Sequence, residues 1–100
     1  MKTRKRKTAA RTKSPRPLSE LRKQIDSVDV RIQGLIAERA LLAQEVAAAK
    51  GKGRATDYYR PEREAQVRRG VVERNRGPLT DEEMVRLFRE IMSACLAQEE

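Results

Sequence analysis

The chain reads as an all-α protein of three helices, and three observations carry that reading. From Leu18 onward the apolar positions step alternately by three and four, through Leu21, Ile25, Val28, Ile32, Leu35, Leu42, Val46 and Ala49. That heptad-like spacing puts one stripe down a single long helix. A second set, Met84, Leu87, Phe88, Ile91, Met92, Cys95 and Leu96, keeps the 3.6-residue period of an amphipathic helix. Nowhere do apolar and polar residues alternate as they do in a half-buried strand.

The segment ahead of the first helix is of another kind. Residues 1–17 hold eight Lys and Arg, no acid and almost no apolar residue, and they are expected to form a disordered basic tail. Residues 18–100 are expected to be the folded domain. Of the 23 basic residues, 15 remain there against 15 acidic ones, so the formal net charge of +8 belongs to the tail and the body is neutral. A basic pI alone would suggest a nucleic-acid binder; this distribution makes nucleic acid an unlikely partner for the body. The tail lacks the apolar stretch of a secretory signal, and no run is long enough to cross a membrane.

The first helix is expected over Leu18–Lys50, with Pro17 before it and Gly51-Lys52-Gly53 after it. Thirty-three residues at 1.5 Å each make a rod of about 50 Å, longer than a globule of this size is wide. Its stripe therefore calls for a second chain, and an intertwined homodimer is expected. After a loop to Tyr59, Pro61 opens the second helix with Glu62 and Glu64 in its first turn, where the helix dipole favours them. That helix is expected to have ended by Gly77-Pro78. Thr80-Asp81-Glu82-Glu83 is a capping box that announces the third helix.

Composition narrows the chemistry. There is no His, which removes imidazole acid–base catalysis and weakens any case for zinc; no metal and no cofactor are expected. The single cysteine, Cys95, cannot build a disulfide framework, and a reducing cytoplasm is the expected compartment. Any enzymatic work would fall to Arg, Lys and carboxylates.

Arg39 is the residue that asks for a function. It stands in the long stripe where an aliphatic residue belongs, and a guanidinium there is costly unless something anionic meets it. A ligand could do so; so could a glutamate of a facing helix, or the side chain could reach out to water along the stripe's edge. Lys50 lies eleven residues on, on the same face and about 16 Å along the axis. Between the two cations come Ala43, Val46 and Ala47, small residues that leave room for a small polyanion. Arg22 lies about 25 Å before Arg39 on the rod and could reach the same ligand only from a partner helix. Arg63 and Glu64 of the second helix, with Cys95 and Glu99 of the third, complete the candidate set.

In order along the chain, Leu21-Arg22-xx-Ile25-Asp26-xx-Asp29, Glu38-Arg39, Val46-xxx-Lys50, Arg60-Pro61-Glu62-Arg63-Glu64 and Leu87-Phe88-xx-Ile91-Met92 resemble the all-helical, AroQ-type chorismate mutases. The likeness extends to the mutase domain that many bacteria fuse ahead of prephenate dehydratase, and covers nearly all of residues 18–99. It implies an intertwined dimer with two shared sites that converts chorismate to prephenate by a Claisen rearrangement, on the way to phenylalanine and tyrosine. It also implies roles. Arg22 of one subunit and Arg39 of the other would hold the two carboxylates, and Lys50 would bond the ether oxygen. Glu64 would accept from the ring hydroxyl, and Arg63 would support the carboxylate end.

The chain departs from the family pattern at its edges. Arg60 stands where an Asp is common, which removes that residue's contact with the ring hydroxyl unless backbone atoms supply it. Cys95 stands for a Ser and Glu99 for a Gln, while Gln98 lies adjacent but rotated by about 100°; either Glu99 or Gln98 could face the ether oxygen. A carboxylate there would repel the developing charge, so Glu99 is expected to act protonated, with turnover falling as pH rises. Three other readings compete: an isochorismate pyruvate lyase with the same helices, a basic helical dimer that binds nucleic acid through its tail, and an architectural dimer without a ligand. The chain is read either as a free-standing mutase or as a segment of a longer protein.

Overall fold

A computed structural model of the chain describes residues 15–50 and 61–99, the side chains of Lys50 and Glu99 excepted. Most of the basic tail, the loop with Arg60, and Glu100 lie outside the described residues. Three helices follow in order: α1, Leu18–Lys50; α2, Pro61–Arg74; α3, Asp81–Glu99. The described residues include no strand.

The start of α1 falls where proline allows it. Pro17 has no N–H to leave unsatisfied, and its carbonyl accepts from the Leu21 amide at 3.1 Å, closing the first turn. Arg16 Nη1 donates to Gln24 Oε1 at 2.8 Å, so the last basic residue before the helix lies along its first two turns.

The chain divides between Gln33 and Gly34 into two units. The first holds Leu18–Gln33 of α1. Its apolar residues Leu18, Ile25, Val28, Val30 and Ile32 are exposed, and only Leu21 is half-buried.

The second unit holds Gly34–Lys50 with α2 and α3. There α2 packs on α3, with Val71 almost fully buried between half-buried neighbours such as Val67, Phe88 and Met92. Leu87, expected on the inner face of α3, is instead exposed, because the face that meets α2 is centred on Met84, Phe88, Ile91 and Cys95. On α1 the covered edge is Ala43 and Ala47, with Arg39 and Ala40 half-buried beside them. The heptad stripe itself, Leu35, Leu42 and Val46, stays exposed in the single chain. The buried edge of α1 is thus one of small side chains, about one residue's rotation away from the apolar stripe.

The α2–α3 connection is built around Asn75. Its Nδ2 donates to Asp81 Oδ1 at 2.8 Å and to the Leu79 carbonyl at 3.0 Å, while its Oδ1 accepts from the Gly77 amide at 3.3 Å. A side chain that competes so well for backbone groups ends α2 at Arg74, three residues short of Gly77. Gly77 has φ +73°, a left-handed conformation that glycine adopts at no steric cost. The capping box then forms in both directions: the Thr80 amide donates to Glu83 Oε1 at 2.9 Å, and the Glu83 amide to Thr80 Oγ1 at 3.0 Å.

Candidate active site

The second unit positions the centre of the predicted constellation. Arg39 is half-buried on α1, one turn before the buried Ala43. Side-chain hydrogen bonds of the described residues join Arg16 to Gln24, Gln44 to Gln98, Arg63 to Gln66 and Asn75 to Asp81; none involves the Arg39 guanidinium. Among the described residues, then, neither a carboxylate nor a carbonyl satisfies it. Lys50 closes α1 eleven residues later, about 16 Å along the axis, with its side chain outside the described residues.

From α3, Cys95 arrives 3% exposed. Its register against α1 is marked by one contact: Gln44 Nε2 donates to Gln98 Oε1 at 2.9 Å. That bond sets the last turns of α3 beside the Ala43–Ala47 stretch of α1, the interval between Arg39 and Lys50. Cys95 lies three residues before Gln98 on α3. Glu99 ends α3, and its side chain lies outside the described residues.

Other members of the set are not brought together by any described contact. Glu64 is half-buried in the first turn of α2, whereas Arg63 is exposed and donates to Gln66 Oε1 of its own helix at 3.2 Å. Arg22 is exposed on the first unit. Of the alternatives for the last turn of α3, Gln98 has its carbonyl oxygen engaged by Gln44. Gln44 itself was missed from sequence. Its only signal was its place between two small residues of the stripe's edge, which says nothing of a partner 54 positions away.

Among the described residues no cluster of His, Cys, Asp and Glu could hold a metal ion, and no helix is long and apolar enough to cross a membrane. Among the described residues the arrangement offers instead a half-buried guanidinium without a carboxylate or carbonyl partner, and small buried side chains on the same helix.

Comparison with known proteins defines the class. The profile of chorismate mutase type II matches residues 21–100. The chain is 56% identical over 87 residues to the bifunctional chorismate mutase/prephenate dehydratase of Stutzerimonas stutzeri, and 53% identical over 87 residues to that of Pseudomonas aeruginosa. Each match covers 83% of this chain and 24% of the relative, so the chain spans about a quarter of the length of these relatives. A solved structure of chorismate mutase (form II) from Thermus thermophilus superposes with a TM-score of 0.72 at 34% identity, over 82% of this chain and 92% of that one. The chain belongs to the chorismate mutase type II family.

Proposed function

We propose that the chain catalyses the rearrangement of chorismate to prephenate, an isomerisation on the route to phenylalanine and tyrosine. The observation that carries the reading is Arg39, half-buried beside small side chains and without an acceptor among the described residues. A doubly negative substrate supplies what that guanidinium lacks.

The reaction asks little of a protein beyond positioning and electrostatics. The ether C–O bond breaks as a new C–C bond forms, with no atom gained or lost, so neither nucleophile nor proton relay is required. What lowers the barrier is a substrate held in a compact chair, and positive or donating groups where the ether oxygen gains charge. In this reading Arg39 binds a carboxylate, and Lys50 donates to the ether oxygen. Glu64 accepts from the ring hydroxyl, Arg63 supports the carboxylate end, and Cys95 lines the wall. Glu99, protonated, donates to the ether oxygen as well.

Arg22 enters the same site from a second copy of the chain. A homodimer is supported by the exposed aliphatic stripe of α1: Ile25 and Leu35 are 57% and 65% exposed in the single chain. Burying each such side chain is worth about 1.5–3 kcal/mol, a strong drive to pair two stripes. We place the enzyme in the cytoplasm, where a lone cysteine remains a thiol.

The test is to incubate the purified protein with chorismate and, separately, isochorismate, and to identify products. Prephenate from the first supports the proposal; salicylate and pyruvate from the second, with chorismate untouched, replaces it with the lyase. The role of Glu99 is checked by the pH profile. The wild-type rate should fall as pH rises from 5 to 8, and Glu99→Gln should flatten that fall; an unaltered, flat profile removes the protonated-acid role.

A further inference from the structure

The buried residues nearest the ends of α1 and α3 are small: Ala43 and Ala47 on α1, Cys95 on α3. Methyl and thiol groups offer few interlocking contacts with which to fix how far one helix slides or turns on another. A directional bond can fix it. Among the described residues, one side-chain hydrogen bond ties α1 to α3, and it lies beside these buried positions: Gln44 Nε2 to Gln98 Oε1, 2.9 Å.

We propose that Gln44 is a positioning residue for the reaction. It holds Gln98, and through Gln98 it sets the last turn of α3 along the interval between Arg39 and Lys50. The inference rests on the function proposed above and deepens it by assigning Gln98 as well. With its side chain turned toward Gln44, Gln98 is the tether, and Glu99 is the group that meets the ether oxygen. Neither glutamine touches the substrate. Both act on where Cys95 and Glu99 stand when the charge develops, so their loss is felt in the chemical step more than in binding.

Gln44→Met keeps the length and the helical preference of the side chain and removes the donor. Gln98→Met removes the acceptor, and Gln44→Lys returns a donor. A bond of this kind corresponds to about a twofold to tenfold change in rate. The expected result is a drop in kcat of that size for Gln44→Met and for Gln98→Met, with KM and Tm nearly unchanged. The double variant should be no worse than either single one, and Gln44→Lys should recover kcat. A purely structural tie would lower Tm and leave kcat of the folded fraction intact; that outcome overturns the proposal, as does a double variant whose losses multiply. Full kcat in Gln44→Met removes the tether alone, whereas a wild-type protein that leaves chorismate unchanged removes the functional reading and the tether with it.

Discussion

The first half of α1 and the α2–α3 hairpin satisfy themselves in opposite ways. In the hairpin, Asn75 meets Asp81, Leu79 and Gly77, Thr80 and Glu83 cap each other, and Val71 is sealed from water. Leu18–Gln33 has the longer apolar stripe and leaves it in the open, with Leu18 61% and Val30 70% exposed. A sequence does not keep aliphatic residues at regular heptad spacing on a solvated face without a use for them. The hairpin closes its polar groups and its core within one chain, whereas the rod leaves its stripe exposed. In the function proposed above, Arg39 acts from the second unit of its own chain and Arg22 from the first unit of a second copy.

The largest effect should come from Arg39 in the second unit. Arg39→Ala removes the guanidinium at the centre of the site, and kcat/KM should fall by about three powers of ten or more. Far-UV circular dichroism should stay helical, because the residue is only half-buried and alanine favours the helix. Turnover retained in a folded Arg39→Ala protein would sink the assignment. The next effect tests the other region. Ile25→Asp with Ile32→Asp puts two carboxylates on the exposed stripe. Sedimentation should then show single chains, and activity should drop roughly a hundredfold as Arg22 of the partner is withdrawn. An active double variant that sediments as one chain would mean that the site is complete within a chain, and the contrast between the regions would lose its functional meaning.

Much of this was legible in the sequence, and the rest was not for definite reasons. The limits of α1, Leu18–Lys50, follow from Pro17 and the Gly51/Gly53 pair, and the cap of α3 follows from Thr80 and Glu83, since these are local signals. The end of α2 at Arg74 was hidden, because Asn75 wins the competition for backbone groups only once Leu79 and Asp81 are in place. Which edge of α1 its own chain would cover was also hidden. The heptad pattern marks the most apolar face, Leu35, Leu42 and Val46, whereas the buried edge is the one of smallest side chains, Ala43 and Ala47. Within the site, Arg39 stood out as a charge out of place. Gln44 and Gln98 did not, because a pair of neutral amides far apart in the chain breaks no pattern.

The smallest prediction sets a glycine of α1 against one of the hairpin connection. Among the described residues a Cβ added at Gly34 meets nothing within 4 Å, and neither does one added at Gly77. Open space alone would make the two substitutions alike; the backbone makes them opposite. Gly34 lies inside α1, where replacing glycine by alanine is worth about 0.5–1 kcal/mol of stability. Gly77 holds φ +73°, where an L-residue costs about 1 kcal/mol or more. Gly34→Ala should therefore raise Tm by a few degrees, and Gly77→Ala should lower it by a similar amount, as read by calorimetry. A fall in Tm for Gly34→Ala as well would place another chain against that glycine in the assembled protein, because among the described residues of one chain nothing stands where the new methyl would go.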